Sequence, residues 1–342
     1  MPRFSIIIVS WNALQHLQTF LGSVVQTKYD DFEIILADNA STDGSKEWVK
    51  EHYPEVKIVT FDKNYGYCGG NNRAVPYSTG DILLFLNNDV KVESNWLSPL
   101  AALFERRPEV AATQPKIRSY EAPDKFEYAG AAGGFIDRYG YPFCRGRIFD
   151  TVEKDNKQYD DESDILWASG AALAVRKEIF QQAGGFDEDF EFHMEEIDLC
   201  WRLWNQGHLV MACPGSVVYH LGGGSLPTNS PRKLYYNYRN SLIMLWKNYA
   251  TPSLIFRFPV RLALLDTVAA LQELLSGNTE GFKAVIRAHI HFWRMLPTTT
   301  YKRRTLQRKR LIHKNPTAMK PISIIWQYFV RGIEHFKDLP GT

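Results

Sequence analysis

The chain has 342 residues, 45% hydrophobic and 23% charged, with a formal net charge of +2. That length allows one large domain or two modest ones, and the composition is that of an ordinary soluble protein able to bury a sizeable core. The near-balanced charge excludes a global attraction to nucleic acid. Cys68, Cys144, Cys200 and Cys213 are dispersed, without zinc-site or CxxC spacing.

No apolar run reaches the ~18 uninterrupted residues of a membrane-spanning helix. The nearest, Leu254–Leu275, is broken by Arg257, Arg261 and Asp266. The first residues do not read as a signal peptide, so the expectation is a cytoplasmic protein with reduced thiols.

In chain order, FSIIIVS (Phe4–Ser10) reads as a buried strand, and Leu14–Gln26 carries a helical apolar rhythm. Phe32–Ala37 is a second strand ending at Asp38, and Ser41–Gly44 is a turn leading into a helix over Ser45–Tyr53. Val56–Phe61 is a third strand, Gly69–Ser78 a helix, and Ile82–Leu86 a fourth strand. This alternation predicts βαβ units and a largely parallel sheet. Residues 116–165 show little periodicity and read as loops or short strands. Ala168–Val175 returns to strand, Lys177–Ala183 and Glu195–Gln206 to helix, and Leu209–Cys213 and Ser216–Tyr219 to short strands. From about Arg232 long helical segments follow.

Polar clusters fall where strands end, which is where an open α/β sheet holds its ligands. Ser10–Trp11–Asn12 follows the first strand. ADNASTDGS (37–45) follows the second, with Asp38 placed to accept from a base or ribose, and Asp43 to reach ribose or cap the next helix. NYGYCGGNN (64–72) brings Asn64, Gly66, Gly69 and Asn71 to a helix start suited to phosphate. DILLFLNNDV (81–90) ends its apolar run in Asn87, Asn88 and Asp89, a hard oxygen ligand for Mg²⁺ or Mn²⁺.

SIIIVSWN, ADNASTDGS, NYGYCGGNN and LFLNNDV, in this order, resemble the nucleotide-sugar half of family 2 glycosyltransferases. The resemblance continues through SGAALAVRKEIFQQAGGFDEDF (169–190), EEIDLCWRLWNQG (195–207), VVYHLGGGS (217–225) and YYNYRNSLIMLWKNY (235–249), covering about residues 4–250. The subgroup it resembles is that of bacterial rhamnosyltransferase-like enzymes of surface-polysaccharide assembly. The resemblance implies a GT-A fold: a Rossmann-like, mostly parallel sheet flanked by helices, here with a helical C-terminal extension. Residues 1–230 would be the catalytic domain, with 1–107 its nucleotide-sugar half and 108–230 its acceptor half, and 231–342 the helical region. It also implies a divalent cation and inversion at the anomeric carbon.

Carried over residue by residue, Asp38 matches the aspartate that contacts the base. Asp43 and the Asn64–Gly66 turn match positions lining ribose and diphosphate. Asn87 and Asp89 match the ends of the metal motif, whose first carboxylate is an amide here, so Asp89 is the principal expected ligand. Glu195–Glu196 matches an acidic pair that bears the catalytic base, and either residue fits. His220 matches a histidine near the metal and diphosphate, and Gly222–Gly224 after it strengthens that reading.

Such chemistry needs these residue types. An acceptor hydroxyl attacks well only as its proton leaves, and a carboxylate base contributes typically ~10²–10⁴-fold. A cation stabilises the charge growing on the departing diphosphate. Simpler readings stand beside these. Asp198 and Arg202 could face the acceptor or form a plain salt bridge across one helical turn. Trp167, beside Ser169–Gly170, could floor the acceptor site or belong to the core.

The C-terminal third carries no motif. Leu254–Leu275, Phe282–Leu296 and Ile322–Phe336 mix apolar and aromatic residues with arginine, and YKRRTLQRKRLIHK (301–314) holds seven Lys/Arg and no acid. These read as basic amphipathic helices for an anionic membrane surface, or as a bundle packed on the catalytic domain.

The leading expectation is an inverting, metal-dependent transferase at the inner face of the cell membrane. It would move a sugar from dTDP-rhamnose or a UDP-sugar to a lipid-linked or polysaccharide acceptor. The alternative is a non-catalytic nucleotide-sugar-binding scaffold, against which Asp89 and Glu196 both argue. A nucleotidyltransferase would carry a Gly-rich basic loop after the first strand, where SWNALQ stands instead.

Overall fold

The computed structural model describes residues 1–222 and 230–341. Its first part is the expected alternation: β1 (Phe4–Ser10), α1 (Leu14–Val25), β2 (Phe32–Asp38), α2 (Ser45–His52), β3 (Lys57–Thr60), α3 (Gly66–Ala74) and β4 (Ile82–Leu86). The order β3-β2-β1-β4 is parallel throughout. Both faces are covered, so these strands are apolar on both sides. Ile6 and Ile8 enter the core under α1 and α2, while Ile7, between them, enters the one under α3.

Beyond β4 the sheet becomes mixed. The short β5 (Val90–Val92) and the helix α4 (Leu97–Arg106), both unread in the sequence, lead to β6 (Val110–Ser119). The weakly periodic stretch then forms a small antiparallel sheet of β7 (Gly134–Ile136), β8 (Pro142–Cys144), β9 (Arg147–Ile148) and β10 (Thr151–Val152), followed by β11 (Ser163–Asp164). β12 (Ala172–Arg176) inserts antiparallel between β4 and β6. After α5 (Lys177–Gln182) and α6 (Glu195–Asn205), one strand, β13 (Leu209–His220), replaces the two short ones expected, with its register shifted between Cys213 and Val217. All four cysteines are free and buried.

Four helices follow: α7 (Pro231–Asn248), α8 (Thr251–Phe256), α9 (Asp266–Leu275) and the 30-residue α10 (Thr279–Arg308). Leu242, Ile243, Met244 and Leu245 of α7 join the same buried cluster as Phe135, Trp201 and Leu339. The helical region is therefore packed on the sheet rather than hung from it.

Two expectations for this region are corrected. Ile322–Phe336 is not a long amphipathic helix; its helical part is the short stretch 324–330. Its backbone is committed elsewhere: Ile322 O accepts from Arg138 N at 3.1 Å, and Ile324 N donates to Asp137 at 2.9 Å. The basic run 301–314 is not a uniform solvated face. Arg303 donates to the carbonyls of Trp246 and Tyr249 at 2.8 Å, Arg310 to that of Asn248 at 2.9 Å, and Lys302 pairs with Asp187 and Asp189.

Asp198 and Arg202 are an internal strut, not an acceptor surface. They are 0% and 4% exposed and paired at 2.9 Å. Asp198 also accepts from Asn248 at 2.7 Å and faces Lys247 at 2.9 Å, while Arg202 donates to the carbonyls of Ala183 and Gly185. Trp167 likewise belongs to the core: it is buried, its indole donates to Phe135 O at 2.9 Å, and a Cβ on Gly134 would fall 2.1 Å from its ring.

Replacing one partner of a buried ion network leaves the others charged and unpaired. Asp198→Ala is expected to lower unfolding free energy in urea by about 3–5 kcal/mol. A loss below about 1 kcal/mol would show that the strut is not stabilising α6 against α7.

Candidate active site

The loops after β1, β2 and β4 and the start of α3 meet at the carboxyl edge of the sheet. Asn12, at φ 48°, donates its backbone N–H to Ser41 Oγ at 3.0 Å and accepts from Thr42 N at 2.8 Å. Asp43 accepts from Leu14 N at 2.9 Å and Ser45 N at 3.1 Å. Burial raises its pKa, but these hydrogen bonds win and the carboxyl titrates below its usual value. It thus pins the first loop to the second as well as capping α2. Asn64 accepts from Gly66 N at 2.8 Å, shaping the turn into α3, where Gly66 takes φ 68°. Asn39, unread in the sequence, donates to Gly66 O at 3.1 Å and so ties the second loop to this turn.

Two expected positions face inward. Asp38 is fully buried and accepts from Ser41 N at 3.2 Å, so its carboxylate shapes the turn on which a base would rest. Gly69 is also buried, and a Cβ there would crowd Arg73 and Tyr65 at 2.9 Å. Ser10 Oγ and Asn71 Oδ1 are buried without a hydrogen-bond partner among the described residues.

The end of β4 and the end of β13 face each other. Asp89 Oδ1 lies 3.1 Å from His220 Nε2, and Asn87 Nδ2 lies 3.5 Å from the same nitrogen. Asn88 contacts His16 at 3.2 Å. On its other side His220 Nδ1 stands 3.4 Å from Glu127, a buried residue that the local sequence DKFEYAG does not mark. Burial alone would pull His220 down, but Asp89 and Glu127 outweigh it and raise its pKa to about 10. Burial also pushes Asp89 up, but His220 reverses this and leaves Asp89 below its usual value. Both shifts favour the charged forms, so the two side chains stabilise each other as an ion pair. Residues 223–225 of VVYHLGGGS lie outside the described residues.

These donors fit a divalent cation only in part. A carboxylate, an imidazole and an amide are suitable for Mg²⁺ or Mn²⁺, and the carboxylate behind His220 is the usual support of a metal-binding histidine. Among the described residues, however, no group of three or more His, Cys, Asp or Glu is arranged to hold a metal. The set suits a cation that arrives with oxygens of its own, as a nucleoside diphosphate supplies.

The acidic pair sits at the start of α6. His193 and Met194 both adopt left-handed backbone, φ 65° and 74°, to turn the chain into this helix. Such residues cost roughly 1–3 kcal/mol each and persist where the surroundings hold them. Asn240 of α7, fully buried, donates to Phe192 O at 2.6 Å and His193 O at 2.9 Å, and Arg239 donates to Asn240 and Asp189 O. YYNYRNS in the sequence was the available signal for these two buttresses.

Glu195 is buried and Glu196 half-buried, each with one oxygen lacking a partner among the described residues. Burial raises both pKa values, that of Glu196 to about 7, and Glu195 is pushed further up by its neighbour's charge. Tyr67, also unread, donates to Gly170 O at 2.8 Å. A Cβ on Gly170 would lie 3.9 Å from Glu196 Cβ, and the adjacent Ala171 O accepts from Asn87 N at 3.0 Å. Gly170 thus leaves space between the donor edge and the acidic pair, bringing Asn87–Asp89 and Glu196 to one place.

A nucleotide-binding sheet edge beside a carboxyl that ionises near neutrality is the equipment of sugar transfer, and the chain is a glycosyltransferase acting on a nucleotide sugar. It belongs to glycosyl transferase family 2, whose sequence model matches residues 5–184, just over half of the chain. Over 289 residues it is 28% identical to the N-acetylglucosaminyl-diphospho-decaprenol L-rhamnosyltransferase of Mycobacterium tuberculosis, spanning 79% of this chain and 92% of that one. It is 22% identical to the dTDP-rhamnosyl transferase RfbF of Shigella flexneri, over 78% of this chain and 84% of the other. Among solved structures, S. aureus TarS 1–349 with UDP-GlcNAc superposes at TM-score 0.55 and 15% identity, over 90% of this chain and 89% of that one. GalNAc-T7 with UDP, GalNAc and Mn²⁺ superposes at 0.58 and 17% identity, over 84% of this chain, which spans 56% of that one. The mannosyltransferase PcManGT of Pyrobaculum calidifontis, with GDP-Man and Mn²⁺, matches at 0.52 and 15% identity, over 90% of this chain and 84% of that one. These structures share the GT-A fold.

Because the pKa of Glu196 is raised on folding, the protonated form is favoured and stability falls as pH rises from about 4.5 through about 7. Thermal unfolding of wild type and Glu196→Gln across that window is expected to show the variant gaining steadily on wild type. Parallel curves would place the carboxyl in an ordinary solvated environment.

Proposed function

We propose that this chain is an inverting, cation-assisted rhamnosyltransferase that moves rhamnose from dTDP-rhamnose to a lipid-linked acceptor. The observation that carries the catalytic reading is Glu196, half-buried beside Gly170 with its pKa raised to about 7. A base poised near neutrality both ionises and accepts a proton readily. The rhamnosyl donor is supported by the names of the two relatives, one of which also names a diphospho-decaprenol acceptor.

In this reading the loops pinned by Asp43, Asn12 and Asn39 hold the nucleoside, and the Asn64–Gly66 turn approaches the diphosphate. Asp89 and Asn87, with His220, hold the cation, Mg²⁺ or Mn²⁺, and Glu127 orients the imidazole. The bound cation supplies Lewis-acid stabilisation of the leaving diphosphate. Glu196 removes the proton of the acceptor hydroxyl as its oxygen bonds to the anomeric carbon. The bond from that carbon to the diphosphate oxygen breaks, and its electron pair leaves with the nucleotide. One displacement inverts the configuration. Glu195, buried beside Glu196 and raised by burial and by its neighbour's charge, is held toward its neutral form.

A lipid-linked acceptor calls for access to a membrane face. No helix of the described residues is long and apolar enough to cross a membrane. The C-terminal helices instead expose Leu264, Val268, Leu271 and Leu275 around α9, and Ile286, Ile290 and Trp293 on α10. Exposed Arg287, Arg294 and Arg304 lie on or near these faces. Apolar side chains rimmed by arginine suit the interface of an anionic bilayer, at the cytoplasmic side where the nucleotide donor is made.

Turnover would be measured with dTDP-rhamnose, UDP-glucose, UDP-N-acetylglucosamine and GDP-mannose, with Mn²⁺ or EDTA. Cation-dependent use of dTDP-rhamnose is expected, reduced about 10²–10⁴-fold in Glu196→Gln and strongly in Asp89→Ala. Preference for another donor would overturn the rhamnosyl assignment. Full activity in EDTA would overturn the cation's role.

A further inference from the structure

The groove between α7 and α10 has no part in the reaction as described. It encloses about 450 Å³ and is lined by Arg232, Tyr235 and Tyr236 of α7 and by Lys283, Arg287 and His291 of α10. Its acids are already engaged. Glu280 pairs with Lys283 at 2.7 Å, and nearby Glu191 takes Tyr236 Oη and Arg239. Arg232 and Arg287 are exposed and join no ion pair among the described residues. The local field is positive. Partial burial first, and then Arg294, Arg239 and Arg287, hold the His291 imidazole below its ordinary pKa. The exposed guanidinium groups of Arg232, stacked 5.8 Å from the Tyr236 ring centre, and of Arg287 make a receptor for a polyanion, because the guanidinium fork matches phosphate oxygens.

Its position selects the ligand. At the inner end, the Arg232 guanidinium lies 5.6 Å from the Phe192 ring centre, and Phe192 is three residues before Glu195. Along α10, Lys283, Arg287 and His291 form one stripe, and the exposed Ile286, Ile290 and Trp293 form the stripe beside it. The donor diphosphate has its own place at the carboxyl edge of the sheet. A molecule lying in this groove would have its anion between α7 and α10, hydrocarbon along the apolar stripe of α10, and its far end toward the loop before α6 that Arg232 touches at Phe192.

We propose that the α7–α10 groove binds the diphosphate of a polyprenyl-diphosphate-linked acceptor, with Arg232 and Arg287 as its principal contacts. The groove then sets which lipid carrier is used, separately from the chemistry at Glu196. This rests on the transfer reading above.

The test uses the full chain and flotation with neutral phosphatidylcholine vesicles carrying polyprenyl diphosphate, polyprenyl monophosphate or phosphatidylglycerol. Wild type is expected to bind the diphosphate vesicles in preference to the other two. Arg232→Gln/Arg287→Gln should weaken that binding about 10- to 100-fold, as expected for losing charge-assisted contacts. Arg287→Lys, which keeps the charge but loses the fork, should fall between wild type and Arg287→Gln. In transfer assays the double variant should raise KM for a polyprenyl-diphosphate sugar while leaving kcat, donor KM and the thermal midpoint unchanged. It should not alter transfer to an alkyl glycoside lacking phosphate. Equal binding by wild type and double variant would overturn the proposal. So would equal affinity for phosphatidylglycerol, which would reduce the groove to general membrane attraction, or an equal loss with the alkyl glycoside. Donor hydrolysis, read in the same samples without acceptor, tests the transfer reading independently, since neither arginine touches the donor.

Discussion

Glu195 and Glu196 stand side by side at the start of α6, where burial raises both and the charge of Glu196 makes Glu195 harder still to ionise. The helix amino end, with its free N–H groups, offsets part of the cost. The arrangement also demands two left-handed residues in succession, and it holds because Asn240 takes up the carbonyls at that bend. The placement of the acidic pair therefore depends on α7, which begins at Pro231, 35 residues after Glu196.

α7 is thus more than a link to the C-terminal region. Its inner face supplies Asn240 and Arg239 to the bend and Lys247 and Asn248 to the strut around Asp198. Its outer face opens onto the groove shared with α10. One helix thus holds the bend before the acidic pair on one face and borders the α7–α10 groove on the other. The donor side is built differently, from short loops pinned to one another by Asp43, Asn12 and Asn39, so its precision comes from hydrogen bonds rather than from helix packing.

The histidine between Asp89 and Glu127 links the two halves of the sheet. β4 brings Asp89, β13 brings His220, and the irregular stretch after β6 brings Glu127. The imidazole so placed lies between two carboxylates, 3.1 Å from Asp89 and 3.4 Å from Glu127.

The sequence by itself determined the parallel half of the sheet, because a strand buried on both faces must be continuously apolar and then give way to polar residues. The placement of Ser10, Asp38 and Asp89 at or just past strand ends was legible for that reason, and EEIDLCWR marked the acidic pair. Tertiary structure alone decided what depends on contacts between distant segments. Glu127 lies in a stretch without periodicity, and its meaning comes only from His220, more than ninety residues away. Asp198 and Arg202 could be read as a salt bridge or as acceptor-side residues, and Trp167 as core or acceptor floor; the structure shows the bridge and the core. The basic run 301–314 looked like one solvated face, yet the carbonyls at the end of α7 claim two of its arginines. Local pattern encodes burial and turns; it does not encode partners, because pairing energy belongs to two residues that only the completed fold brings together.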